Sequence, residues 1–420
     1  MRIPPGVYRV SRPIVMRPYV SVEGDGMKSV IQKTTRAPGP SLRRSLPHRD
    51  AVDEYDVDCI LAVDRPDTDL KFSHDVHIQG IRLRGLAHRT GQSVDRNAYG
   101  LYAPRLLRSQ LDEVSVADVR AGFHFREIIV SQLDGCWATR AEIGFDLPDL
   151  ETGGGTSLTM ANCYASEVDR WGYYLRGLSY STLVGCACDH ANKEGSGGGY
   201  FLGVCHGVTI TSCGCEATTA PVLRAKHSEL VVSGLKTFGI RGTDARSAYV
   251  EVEASTVQFT GCRLPGLQDP GQTRNGRYEQ GADVTYVNGE QPSGGAPALV
   301  DERSSVVCIG ERAAESPDAT VADATVRADK IGFEAPETTL TPDGVHVDGN
   351  AVLRERQPPI GEIVDACGGS ASRRIEPVQS GADAATINDN FATLCRQLER
   401  IRALLGEDGH GLTEDRTSDS

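Results

Sequence analysis

The 420-residue chain is read as all-β: a right-handed parallel β-helix (solenoid), followed by a small β-rich accessory region and a short C-terminal helix. Three observations predict this. A four-residue pattern returns every two to three dozen positions, a glycine-led marker follows most copies, and a heptad seam appears only near the end.

The pattern is an apolar residue, a variable one, a small or polar one and a buried-type one. It reads Ile78-Gln79-Gly80-Ile81, Leu111-Asp112-Glu113-Val114, Leu133-Asp134-Gly135-Cys136 and Met160-Ala161-Asn162-Cys163. It continues as Leu183-Val184-Gly185-Cys186, Ile210-Thr211-Ser212-Cys213, Val232-Ser233-Gly234-Leu235 and Phe259-Thr260-Gly261-Cys262. The fourth position steps by 33, 22, 27, 23, 27, 22 and 27. Between copies stand Gly100-Leu101-Tyr102, Gly122-Phe123-His124, Gly144-Phe145-Asp146, Gly172-Tyr173-Tyr174 and Gly199-Tyr200-Phe201. Here glycine is expected to turn the chain, and the alternation after it is that of a strand with one buried face. Coils this short cannot bury a face alone and must stack, about 4.8 Å apart.

Stacking turns the fourth position into an inward column, Cys136, Cys163, Cys186, Cys213 and Cys262, acting as small apolar residues. Zinc sites need Cys-x-x-Cys pairs, whereas Cys186-x-Cys188 and Cys213-x-Cys215 have one-residue spacing. Disulfide scaffolds are short and cysteine-dense, which this chain is not.

These residues resemble the pectate-lyase-like superfamily, in the branch of phage tailspikes and related depolymerases. The opening Ile3-Pro4-Pro5-Gly6-Val7-Tyr8 and Val20-Ser21-Val22-Glu23-Gly24-Asp25-Gly26 look like its first coils. Gly155-Thr156-Ser157-Leu158-Thr159, Asn162-Cys163-Tyr164-Ala165 and Gly172-Tyr173-Tyr174-Leu175 look like its middle ones. The family's aspartate-rich segment and capping helix before Pro-Pro-Gly-Val-Tyr are not seen. The resemblance implies an extracellular or virion-associated protein that binds and cleaves a polysaccharide as a homotrimer.

The organisation follows from where the pattern stops. The β-helix is assigned to 1–265, a loop-rich exit to 266–297, the accessory region to 298–356 and a linker to 357–382. In 383–406, Ile387, Phe391, Leu394, Leu398, Ile401 and Leu405 form a heptad seam that suits trimerisation or packing on its own subunit. The remainder, 407–420, is an acidic tail read as disordered.

Composition narrows the partners. A net charge of -13 disfavours nucleic acid and anionic bilayers, and no apolar run reaches the roughly 18 residues of a spanning helix. Met1-Arg2-Ile3-Pro4-Pro5 lacks a signal-peptide pattern, so release by lysis, as for a virion component, is one expectation.

Candidate chemistry comes from counting outward positions. Four places beyond the cysteine column stand Asp118, Arg140, Glu167 and His190, and six beyond stand Arg120, Glu142, Asp169 and Asn192. The intervening Val119, Ala141, Val168 and Ala191 should point inward. The post-glycine strands should present Tyr102, His124, Asp146, Tyr174 and Phe201 outward. One reading of this ladder is a solvated face, where exposed ion pairs contribute about 0–1 kcal/mol each.

The other reading is a site, with Glu142 beside Asp169 on adjacent coils and Asp146 and Glu167 close by. Carboxylates about 5 Å apart suit glycoside hydrolysis with retention. The catalytic candidates are Glu142, Asp146, Glu167, Asp169 and His190, and the substrate-binding candidates are Arg140, Tyr174 and Phe201. Tyr174 and Phe201 would either carry sugar rings or form a subunit contact. Inserted loops Pro148–Gly155 and Lys193–Gly198 could wall a groove. A lyase would instead use Arg140, Tyr174 or His190 as base. No cofactor or metal motif is seen, although calcium could be held by Glu167, Asp169 and Asp189. The alternative function is a non-catalytic adhesin or structural tail protein.

Overall fold

The computed structural model describes residues 1–34, 57–63, 72–86, 98–148, 154–242, 247–268, 271–289, 292, 295 and 298–309. It gives the backbone alone at 307–309 and in the strands 42–45, 52–55, 325–328, 331–334, 338–341, 344–347 and 350–351. The linker 357–382, the heptad segment 383–406 and the tail 407–420 lie outside the described residues.

Parallel strands stack coil upon coil into a right-handed parallel β-helix with three faces. The first face is built from strands such as Leu133's Gln132–Asp134, paired upward with Thr159–Ala161 and then Thr182–Val184. The second face begins just after the cysteine column, with Arg82–Arg84 and Tyr164–Ser166 among its strands. The third face carries the post-glycine segments, including Trp171–Arg176 and Gly198–Gly203. Strands Ser115–Ile129 and Trp137–Leu147 run through the corner joining the second and third faces.

The third position of the sequence pattern is the corner between the first two faces. Gly80, Glu113, Gly135, Asn162, Gly185, Ser212, Gly234 and Gly261 all have φ between 50° and 65°. That left-handed conformation favours glycine and asparagine, which explains the small or polar preference. Each corner amide finds an acceptor on the coil above: Gly135 N–H donates to Ala161 at 3.0 Å and Ser212 N–H to Ser233 at 2.8 Å. The periodicity in the sequence is therefore a periodicity of backbone torsion.

The cysteines stand in file as the pattern requires. Register pairs Trp137 with Tyr164 and Tyr164 with Ala187, so Cys136, Cys163 and Cys186 are superposed just before them. Each thiol reaches a carbonyl of the coil below: Cys136 to Leu111 at 3.3 Å, Cys186 to Met160 at 3.3 Å and Cys262 to Val232 at 3.4 Å. A small apolar side chain with a weak donor fits this place better than alanine would.

Burial pushes the Cys205 thiol up to about 11 and that of Cys59 to about 12. Nine described cysteines are free and buried. Of twelve in the chain, at most three (twelve minus nine) should therefore react with a thiol reagent in the native state, with the nine appearing on unfolding.

The post-glycine marker has a different cause from the expected turn. Gly144 and Gly172 lie within continuous strands rather than at left-handed turns. A Cβ on Gly144 would stand 2.9 Å from Ala165 Cβ, and one on Gly172 would stand 2.3 Å from Cys188 Sγ. The glycines allow the third face to approach the small-residue column Ala138, Ala165, Cys188 and Cys215 across the lumen. The next inward position holds large rings: Phe123, Phe145, Tyr173 and Tyr200 stack at 4.9, 4.9 and 4.8 Å. The hydroxyl of Tyr173 donates to the Cys163 carbonyl at 2.7 Å, so a buried polar group is satisfied where the ring ends.

Parallel pairing does not stop at Pro265. Val257 pairs with Val284 and Val284 with Val306, while Val250 pairs with Gly276. Residues 271–289 and 298–309 thus continue the solenoid, in place of a loop-rich exit and the start of a separate region. The repeat continues in Tyr286-Val287-Asn288-Gly289, where Asn288 takes the left-handed corner with φ 49°. Glycine replaces the buried residue at its fourth position, because a Cβ there would come 2.8 Å from the Cys262 carbonyl oxygen. Beyond it, antiparallel strands pair at Thr325–Ala328 with Ile331–Glu334 and among Thr338–Thr341, Gly344–Val347 and Asn350–Ala351.

Candidate functional site

The corner between the second and third faces gathers most of the expected polar residues. Asp118, Arg140, Glu167 and His190 occupy stacked left-handed positions, with φ of 63°, 49°, 54° and 50°. The following residues Val119, Ala141, Val168 and Ala191 are buried in the lumen, as their apolar character required. A left-handed residue between an outward strand and an inward apolar one throws its side chain to the outer edge.

At this edge Arg140 is committed to Asp118, with Nε 2.6 Å from Oδ1 and Nη2 3.1 Å from Oδ2. The hydrogen bonds to Asp118 raise the Arg140 pKa above its ordinary value, against the opposing effect of burial. Glu167 is open, with Lys193 Nζ at 3.6 Å. His190 Nδ1 lies 2.5 Å from Asp189 Oδ1, a charge contact off hydrogen-bond alignment. Tyr164 donates its hydroxyl to Asp189 Oδ2 at 3.1 Å, and burial, followed by that carboxylate, pushes the phenol up to about 12.

Two residues past the corner, the backbone amide of Asp169 donates to Ala141 O and that of Arg170 to Glu142 O, both at 2.9 Å. Glu142 and Asp169 therefore stand opposite one another on adjacent coils. The cation Arg170 joins them, its Nη1 3.2 Å from Glu142 Oε1. The loop 193–198 is anchored to the same spot, since Glu194 N–H donates to Asp169 O at 2.9 Å and Gly198 N–H to Arg170 O at 3.0 Å. Asn192, expected outward, is buried instead: its Oδ1 accepts from Gly197 N–H at 2.6 Å and its Nδ2 donates to Ala220 O at 2.9 Å. It shapes the base of that loop. Most of the loop expected from Pro148 to Gly155 lies outside the described residues.

The structure places Asp146, Tyr174 and Phe201 elsewhere, along the third face and in register with His124. Asp146 is buried, takes a hydrogen bond from His124 Nδ1 at 2.6 Å, and leaves Oδ1 without a partner. Tyr174 and Phe201 stack on one another at 4.6 Å, with Trp171 edge-on to Phe201 at 5.4 Å. Phe201 is only 8% exposed, so its ring face is spent on neighbours rather than offered outward.

Further along this face is a group that periodicity did not reveal. Glu251 lies between Arg224, at 3.4 Å, and Arg277, at 3.7 Å. Burial raises its pKa above the ordinary 4.5 despite both cations. A carboxyl favoured in its protonated form adds stability that is complete below about pH 4.5 and lost as pH rises through its folded pKa. Urea unfolding of Glu251→Gln should accordingly show the stability difference from the parent moving in the variant's favour between about pH 4 and pH 7.

The second face also holds Arg82, Arg84, Trp137 and Tyr164, which counting four and six places from the cysteine column passed over. Their signal lies one and three places beyond it, the first outward positions of each strand. Among the described residues no cluster of three or more His, Cys, Asp or Glu is placed to hold a metal ion. No helix there is long and apolar enough to cross a membrane, which says nothing of β-barrels.

No family model matches the chain, and no curated protein matches it. Solved structures do. The tailspike of Acinetobacter phage vb_AbaP_AS12 aligns at a TM-score of 0.57 and 16% identity, over 80% of this chain and 59% of that one. The enzymatically active domain of tailspike protein 2 from bacteriophage CBA120 aligns at 0.52 and 13% identity, over 69% of this chain and 43% of that one. The chain thus spans less than two thirds of either, and at such identities the likeness is one of fold. The chain has the right-handed parallel β-helix fold found in phage tailspikes.

Proposed function

We propose that the chain binds a surface polysaccharide and hydrolyses it at the corner between the second and third faces. The observation that carries this is the placement of Glu142 opposite Asp169 on adjacent coils, beside Arg170 and under the anchored loop 193–198. Adjacent coils are about 4.8 Å apart, and carboxyl groups about 5–5.5 Å apart suit retaining hydrolysis. Glu142, in contact with Arg170, is assigned as the nucleophile and Asp169 as the proton donor.

In the first step the glycosidic C–O bond breaks, the anomeric carbon bonds to Glu142, and the Asp169 proton goes to the leaving oxygen. In the second, Asp169 takes a proton from water, whose oxygen displaces Glu142. Glu167 and His190 border the centre, and Asp146 with His124 supports the third-face wall. Elimination is the weaker reading, because two of its three expected bases are otherwise engaged: Arg140 is bound to Asp118, and Tyr174 is stacked on Phe201 along the third face, which leaves His190 alone at this corner.

The fold's likeness to tailspikes and the heptad seam in 383–406 support a homotrimer that is virion-associated or extracellular. Bacterial capsule and O-antigen preparations should be incubated with the protein and assayed for new reducing ends. Release without ultraviolet absorbance from unsaturated uronates is expected. Absorbance would point to a lyase, and binding without any release would leave an adhesin.

A further inference from the structure

We propose that the first face, from the coil of Thr159 to that of Thr285, is the surface on which three copies of this chain meet about the axis of the homotrimer. This rests on the homotrimer reading above and names the surface that makes it.

The face is set apart by its lack of charge. In each of its strands two outward residues flank a buried one, as Thr182 and Val184 flank Leu183. Register stacks these strands without a break from Thr159–Ala161 to Asp283–Val287. Over those six strands the two outward columns hold six threonines, three valines, one serine, one alanine and one glutamine. The other two faces are charged at the same heights, with Asp189 and Glu216 on the second and Arg224, Glu251 and Arg277 on the third. Lower coils of the first face are charged too, at Glu23, Asp112 and Asp134.

Symmetry gives that neutrality a reason. In a closed ring of parallel copies, residues beside the axis meet their own equivalents at the same height. A carboxylate there would face two more of its kind, and like-charge contact across an interface costs affinity. The chain carries a net charge of -13, so a neutral face is the one across which copies can approach closely.

The edges are unlike, which suits a ring, since the start of each face adjoins the end of the next. At the starting edge stand Glu229 and Asp283, and just past the finishing edge stands Lys236, all exposed. Lys236 belongs to the same coil as Glu229, so in a ring the two meet from neighbouring copies at one height. Lower on the starting edge, Val130 and Tyr180 are 53% and 78% exposed. Both hold left-handed corners, with φ of 46° and 48°, a conformation that is strained for valine. Their own chain buries little of either, and a neighbouring copy would cover both.

The neutral stretch is about 24 Å tall and about 13 Å wide, or about 300 Å² per copy. A stable interface takes roughly 800 Å² per partner. The face therefore acts together with the heptad segment rather than alone.

The test uses the full chain, carrying p-benzoylphenylalanine in place of Tyr180, of Val231 or, beside the opposite corner, of Glu216. Ultraviolet light should join chains into covalent dimers and trimers from the first two positions and not from the third. Separately, Val184→Glu/Val231→Glu should raise the concentration at which the trimer dissociates by about tenfold or more, read by light scattering on dilution. An unchanged circular dichroism spectrum would show that this variant is folded. A trimeric parent that cross-links from Glu216's position instead, or that is equally stable with both glutamates, would overturn the face while leaving the homotrimer reading intact. A monomeric parent would end that reading and the face with it, and loss of capsule retention by the glutamate pair would then give the surface to the polysaccharide.

Discussion

Asp169→Asn, and separately Glu142→Gln, should each lower turnover on a cleaved polysaccharide by about a hundred- to ten-thousandfold, the range for losing a positioned acid, base or nucleophile. Binding should persist, because neither change removes the exposed Trp137 or the anchored loop 193–198. The asparagine cannot give up a proton to the leaving oxygen, and the glutamine cannot form the glycosyl ester. Both amides keep the shape of the side chain they replace, and both positions are partly exposed, so the fold should tolerate them. Steady-state rates with matched binding isotherms check this. Unchanged turnover in both variants would remove this corner as the reacting centre.

Phe145→Ala should be the most damaging simple substitution for stability. The ring is fully buried between Phe123 and Tyr173, each 4.9 Å away in near-parallel stacking. Truncating a buried phenylalanine costs about 3–5 kcal/mol, and here the cavity interrupts a column to which every coil contributes. Coils touch chiefly their neighbours, so the loss should be local as well as global. Amide exchange should accelerate first in the strands carrying Phe123 and Tyr173, while coils near Val284 keep their protection. A uniform loss along the chain would contradict nearest-neighbour stacking.

The backbone period was legible because it is a torsional requirement. Gly80, Gly135, Asn162, Gly185 and Gly234 mark corners where left-handed φ favours glycine or asparagine, and the cysteines mark an inward position that Ile81, Val114 and Leu235 fill in other coils. The signal disappeared where the same geometry was met by another residue. At Gly289 the approach to Cys262 O excludes a side chain, so the fourth position has no apolar mark in a coil that still belongs to the solenoid.

The site was legible in part. Counting placed Glu142 and Asp169 opposite each other, but it could not show Arg170 reaching back to Glu142, nor Asn192 turning inward to hold a loop. Alternation alone also made Tyr174 and Phe201 look open, whereas Trp171, three residues before Tyr174 in the same strand, covers the face of the sheet they share.

The most direct measurement is a crystal structure of the Asp169→Asn protein with an oligosaccharide from a capsule it retains. The glycan should run across the coils at the corner of the second and third faces, with the scissile bond between Glu142 and residue 169. A glycan lying along the first face, or one that leaves Glu142 and residue 169 untouched, would contradict the proposed site.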